Sequence, residues 1–276
     1  MALRSTITLQ LPAALGLIIA TAMLAAGCKG CNSSSPEEPA ASAAPSGPVR
    51  MMIDDSLFAH LQPLLARRFP AALLKRAGFA GQLEAVRTAA VDVVVVAGEK
   101  QMRQLEKLRG FLGPPRGFAA NKIELVAPKK GPLLLDRPQH LLQPALRGPA
   151  IVAAGEAAGD AARAILTGWG LAERLAGKLS SYPTSREALD AVRQGRAGAA
   201  FVFRTDRLAA SDLTVRLNLA ARVSNHTPYF VAVPTGGRDP AQARDIADFL
   251  AGEEVRKILL SAGLLPPEHR PPAEKP

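Results

Sequence analysis

The side chains able to do chemistry are few in this chain, and they are scattered. Its four histidines, His60, His140, His226 and His269, lie far apart in sequence, and none has the H-x-x-x-H spacing that sets two imidazoles on one helical face for a metal. Cys28 and Cys31 have C-x-x-C spacing but lie in no strand–helix–strand setting that would make them a redox pair. No phosphate-binding P-loop, G-x-S-x-G elbow or G-x-G-x-x-G turn follows a strand. Asp54-Asp55 has the look of a paired carboxylate for acid–base work, yet directly after a strand the same residues suit the capping of a helix. The chain is therefore expected to be no enzyme, to need no cofactor and to hold no metal.

Chemistry of another kind is written at the N-terminus. One basic residue, Arg4, precedes an apolar run from Ile7 to Met23, and a small residue, Gly27, precedes Cys28. That order is the layout of a secretory signal, and Ala25-Ala26-Gly27-Cys28 resembles the lipobox of bacterial lipoproteins. The resemblance implies a signal peptide over residues 1–27, lipidation of Cys28, and a periplasmic or otherwise extracytoplasmic protein anchored by lipid to a bilayer. An ordinary signal or an uncleaved anchor is the alternative. Gln10, Pro12 and Thr21 interrupt the run and weaken a spanning helix, which needs about 20 apolar residues. With Cys28 lipidated, Cys31 stands alone and no structural disulfide is expected.

Residues 28–48 are rich in Ser, Pro, Ala and Gly with no apolar period, which reads as a disordered tether. Residues 266–276, with their prolines and charges, read as a disordered tail. The formal net charge of +10 raises nucleic acid as a partner. The basic residues are interspersed with carboxylates, however, and aromatics for base stacking are few. An exported protein with a solvated basic surface, and no nucleic-acid partner, fits better.

Between tether and tail, short apolar strands alternate with helical patterns. Strands are expected at Val49–Ile53, Val91–Ala97, Lys122–Ala127, Ala150–Val152, Ala199–Phe203 and Tyr229–Val233. The run Val93-Val94-Val95-Val96 suits a strand buried on both faces. Thr184 and Glu187 have capping-box spacing, and Asp239-Pro240 offers an N-cap followed by a proline at the first helical position. Alternation of this kind implies an α/β fold with largely parallel sheets.

The order of these segments resembles the molybdate-binding proteins of ABC importers. The resemblance is carried by Val93–Phe111 with Gly98-Glu99-Lys100, by Phe118–Gly131 with Asn121-Lys122, and by Ala157-Ala158-Gly159. Arg186-Glu187-Ala188-Leu189 with Gly195, His226-Thr227-Pro228-Tyr229, and Ala241–Leu250 followed by Glu253-Glu254-Val255 complete it. It implies a two-lobed type II periplasmic-binding-protein fold with a ligand cleft between the lobes. Residues 49–128 and 225–265 would form lobe I and residues 129–224 lobe II. A lipid-anchored solute-binding protein of an ABC importer follows, capturing molybdate, tungstate or a related small oxyanion for a membrane permease. In such a cleft, helix N-terminal amides and hydroxyls hold the anion.

Carried over residue by residue, the family's ligand contacts fall on Ser56, the Ala77–Gly81 turn beside Phe79, the Ala158 amide, Ser185, and Phe203. Ser56 keeps a hydroxyl, although a plain cap is the alternative. The Ala77–Gly81 turn contains no hydroxyl. Ala158 could be an ordinary helix start, and Ser185 could be a cap. Phe203 stands where the family has tyrosine, and core packing is its alternative role. With two hydroxyls missing and Asp54 and Asp55 beside the anion, oxyanion binding is expected to be micromolar or weaker. A degenerate binding-protein fold serving as a non-transport interaction or sensory module is the rival reading.

Overall fold

The structure is a computed structural model that describes residues 47–130, 134–217, 219 and 226–267. The signal peptide, Cys28, nearly all of the tether and most of the tail lie outside the described residues. Among those described, no helix is long and apolar enough to cross a membrane.

The chain opens with β1 (Arg50–Asp54), α1 (Asp55–Arg68), β2 (Leu73–Ala77), α2 (Phe79–Arg87), β3 (Val93–Ala97) and α3 (Glu99–Leu108). These are strand–helix units whose strands pair in parallel, β1 with β2 on one side and β3 on the other. All five residues of β3 are buried, as its valine run predicts. Asp92, fully buried just before β3, accepts from the Arg50 amide (2.8 Å), from Arg50 Nε (2.9 Å) and Nη2 (2.8 Å), and from the Arg238 amide (3.0 Å). That one carboxylate ties the first strand to the third and to the loop that leads into the last helices.

The long strand β4 (Arg116–Pro128) follows, then β5 (Ala150–Val152), α4 (Ala157–Gly168) and α5 (Ala172–Leu175). Next come β6 (Ser180–Tyr182), α6 (Ser185–Arg193), β7 (Ala200–Phe203), α7 (Arg204–Leu208) and β8 (Leu213–Leu217). The chain returns through β9 (His226–Ala232) and ends in α8 (Pro240–Ala251) and α9 (Glu253–Ser261). The strand order is β2-β1-β3-β9-β4-β7-β5-β6, with β8 pairing to β4.

β4 belongs to both halves of this sheet. Arg116 to Lys122 pair antiparallel with β9, and Ile123 to Val126 pair antiparallel with β7. The change of partner falls between Lys122 and Ile123. Helices cover both faces of each half. Leu57, Leu61 and Leu65 of α1 and Ile246 and Leu250 of α8 pack on one face of the first half, and Phe79, Val86, Met102 and Leu105 pack on the other. In the second half Ala162, Ile165 and Leu166 of α4 oppose Ala188, Leu189 and Val192 of α6. Both capping expectations hold: Thr184 Oγ1 accepts from the Glu187 amide (3.3 Å), and Asp239 Oδ1 accepts from the Gln242 amide (2.9 Å).

The sequence expectation missed three strands, β2, β6 and β8, and began β4 at Lys122 rather than Arg116. β2 and β6 end the sheet on either side, and their residues are at most half-buried, so they carry no apolar run. The extra first turn of β4 reads Gly-Phe-Ala-Ala, which has weak strand propensity and is held by pairing with β9.

Candidate functional site

Helices start where the strands of an open α/β sheet end, so the carboxyl ends of β1, β5 and β7 bring the N-termini of α1, α4 and α7 to one place, joined by that of α6. They enclose a cavity of about 430 Å³ lined by residues of both halves. From the first half come Asp54, Asp55, Ser56, Ala59, His60 and Arg76. From the second come Glu156, Ala158, Ser185, Arg186, Phe203 and Asp206, among others. Four of the five expected ligand contacts, Ser56, Ala158, Ser185 and Phe203, thus face one cavity.

Phe79 does not. Its side chain is buried in the first half's second core cluster, against Met52, Val86 and Met102, and it lines no part of the cavity. Only its amide is turned toward the second half. The ring points away because α2 packs its apolar stripe on the sheet, and the first residue of the helix belongs to that stripe.

The donors on the first-half side are already committed. Asp54 caps α1, accepting from the Ser56 amide at 3.0 Å and from the Ser56 hydroxyl at 2.5 Å. Both carboxylate oxygens of Glu156, the residue before α4, lie 3.0 Å from the Phe79 amide at the start of α2, and the Ala80 amide also donates to this group. On the second-half side the Ser185 hydroxyl bonds the Asp206 carboxylate, but α4 carries no side-chain cap. Arg76, His60, Thr184, Arg186 and Thr205 also line the cavity, beside the helix starts at Ala158 and Ser185.

Charge follows the same pattern. Five carboxylates line the cavity (Asp54, Asp55, Glu156, Glu187, Asp206) against two guanidinium groups, Arg76 and Arg186. Arg76 Nε lies 3.2 Å from Asp55. Burial pushes Asp54 up to about 7, against the lowering effect of its bonds from Ser56. Burial likewise takes Asp206 up to about 6, opposed by Ser185 and Arg186, and its Oδ2 is buried without a hydrogen-bond partner. His60 is held below its ordinary value by desolvation. Among the described residues, no group of three or more His, Cys, Asp or Glu side chains could hold a metal ion.

A buried polar chain supports the floor of the site. Asn121 Nδ2 donates to Thr205 Oγ1 (2.9 Å) and to the Tyr229 hydroxyl (3.3 Å), and that hydroxyl lies 2.6 Å from Ser56 Oγ. The Tyr229 ring lies against Phe203, with centroids 6.2 Å apart. Asn121 and Tyr229 both fall in segments that carry the family resemblance, but sequence reading gives them no part in the site. On the paired strands β4 and β9, Asn121 stands opposite Thr227 and Tyr229 opposite Ala119, so the two side chains meet diagonally. Nothing local pointed to Glu156, whose partner is 77 residues away.

Residues 68–265 match the model of a family described as bacterial extracellular solute-binding protein. No curated protein matches the chain at a significant level. Among solved structures, the periplasmic molybdate-binding protein of Azotobacter vinelandii is 18% identical, with 80% of this chain and 100% of that one covered and a TM-score of 0.64. Iron-bound HitA from Pseudomonas aeruginosa is 17% identical, covering 83% and 90%, with a TM-score of 0.64. The sulfate-binding protein SubI from Mycobacterium tuberculosis is 13% identical, covering 80% and 87%, with a TM-score of 0.62. Three different ligands on one fold mean that the fold alone does not select the solute. The chain belongs to the bacterial extracellular solute-binding protein family and has the two-lobed type II periplasmic-binding fold.

Proposed function

We propose that this protein is a lipid-anchored solute-binding protein of an ABC importer whose cleft binds molybdate or a related small oxyanion only weakly. Anchoring through Cys28 rests on its resemblance to a lipobox. The proposed lobes are residues 49–128 with 225–265, and residues 129–224, a division supported by the way β4 leaves β9 for β7. Ser56, Ala158, Ser185 and Phe203 would meet the solute, which a membrane permease would then receive.

The observation that carries the weak-binding reading is the state of the donors. The Ser56 proton goes to Asp54, and the α2 amides go to Glu156. A dianion entering the cavity would meet an excess of carboxylates and find neither the Ser56 hydroxyl nor the α2 amides free to donate. Losing two charge-assisted hydrogen bonds at about 1.5–3 kcal/mol each lowers affinity by two or more decades. Isothermal calorimetry of the purified protein against molybdate, tungstate, sulfate and phosphate tests this, with dissociation constants in the micromolar range or weaker expected. Nanomolar molybdate binding would refute it.

The rival, a degenerate binding-protein fold acting as an interaction or sensory module, is favoured by one observation: side-chain bonds join the two halves across the cleft. Lys100 Nζ lies 2.7 Å from Asp160 Oδ2, and Gln101 Nε2 donates to the Gly155 carbonyl at 2.9 Å. Saturable stimulation of a reconstituted importer by the loaded protein would exclude this rival.

A further inference from the structure

We infer that Glu156 is the protein's own occupant of the anion seat at the start of α2, a tethered carboxylate standing where an external oxyanion would otherwise sit. The inference rests on the solute-binding reading above and deepens it. A helix N-terminus presents amides with no partner in their own helix, and such amides accept an anion. Here the Phe79 amide lies 3.0 Å from each Glu156 oxygen, and the Ala80 amide joins it.

This is no local cap. The residue before α2 is Gly78, which has no side chain to offer. Glu156 stands before a different helix, α4, and does not cap it. Space has been left for the carboxylate: a β-carbon on Gly78 would come within 2.8 Å of Glu156 Oε1. The neighbouring residues fix the approach. Asp160 accepts from Lys100, from Gln101 Nε2 (3.1 Å) and, through Oδ1, from the Gly155 amide (3.0 Å), so the turn that carries Glu156 is bound to the start of α3.

The arrangement has two effects. Its negative charge and its claim on the α2 amides keep small dianions from that side of the cleft, so Glu156 sets the specificity of the site. It also supplies, from within, a bond between the halves of the kind a solute would supply.

The test is amide hydrogen exchange at Phe79 and Ala80 in the solute-free full chain, together with calorimetry against sulfate and molybdate. In the parent these two amides should be protected. In Glu156→Ala they should exchange at least tenfold faster while the β3 amides stay unchanged, and saturating molybdate should slow them again. Molybdate or sulfate affinity should rise at least tenfold in Glu156→Ala. Glu156→Gln, which keeps the shape but not the charge, should give a smaller rise in the same direction. Unchanged exchange at Phe79 and Ala80, or unchanged affinity in both folded variants, would overturn the inference. Because the exchange measurement needs no solute and no permease, it is decided separately from transport.

Discussion

The hydroxyl of Ser56, at the start of α1, lies 2.6 Å from the phenol of Tyr229, 173 residues further along the chain. The bond has a direction. An ionised Asp54 can only accept, so Ser56 donates to it and in turn accepts from Tyr229, whose oxygen receives the Asn121 amide. The Ser56 hydroxyl thus ends a chain of donors aimed at a carboxylate, and burial beside Asp54 raises the phenol's own pKa.

Asp54 makes stability depend on pH. Its folded value of about 7 lies above the ordinary 3.8. Below about pH 4 the group is neutral in both states, and its contribution is lost as pH rises through 7. Asn caps helices as well as Asp does and cannot ionise. Asp54→Asn should therefore gain stability over the parent, by at most about 4 kcal/mol, at pH 8 but not at pH 4. Calorimetric melting across that range checks it. A difference that does not change with pH would contradict it.

Asp92 should be among the costliest single losses in the first half. Removing it leaves the Arg50 guanidinium and the Arg238 amide without their shared partner. Asp92→Ala should lower unfolding free energy by about 3 kcal/mol in urea titration. A loss below about 1 kcal/mol would show that water replaces the carboxylate.

Two substitutions that sequence reasoning treats alike should part company. Phe203 lines the cavity, so Phe203→Tyr should tighten molybdate binding by about tenfold, the effect of one added donor. Phe79 is a core residue, so Phe79→Ser should cost about 3–5 kcal/mol of stability and bring no gain in affinity. Calorimetry and urea melts on both variants separate the outcomes.

The anchor has its own test. Cys28→Ser should abolish labelling of the protein by a fatty-acid analogue in cells. Persistent labelling would place the lipid elsewhere or exclude it.

What could be read from sequence was what local physics controls. The valines of β3, the three residues of β5 and the caps at Thr184 and Asp239 stand where their side chains dictate. Ser56 and Phe203 reach the cavity because a strand end or a helix start must be there. What escaped depends on distant partners. Phe79 sits beside the turn the resemblance makes a ligand turn, but its ring follows the stripe of α2 inward. Glu156 resembles any acidic residue before a helix until the fold sets it against α2. Asn121 reads as a polar residue just before a strand, and only the β9 register brings it to Tyr229.

The sharing of β4 between the two halves has a mechanical consequence. A strand laddered to one half over Arg116–Lys122 and to the other over Ile123–Val126 lets neither half slide past the other. Rotation about the strand, like the turning of an axle, keeps both ladders whole but must part the Lys100–Asp160 and Gln101–Gly155 bonds. The bearing of that axle is Asn121, fully buried and bonded to Tyr229 on one side and Thr205 on the other. A rotation of one half against the other would strain the bonds that lead from Thr205 through Asn121 and Tyr229 to Ser56, and so couples the angle between the halves to the donors of the cavity.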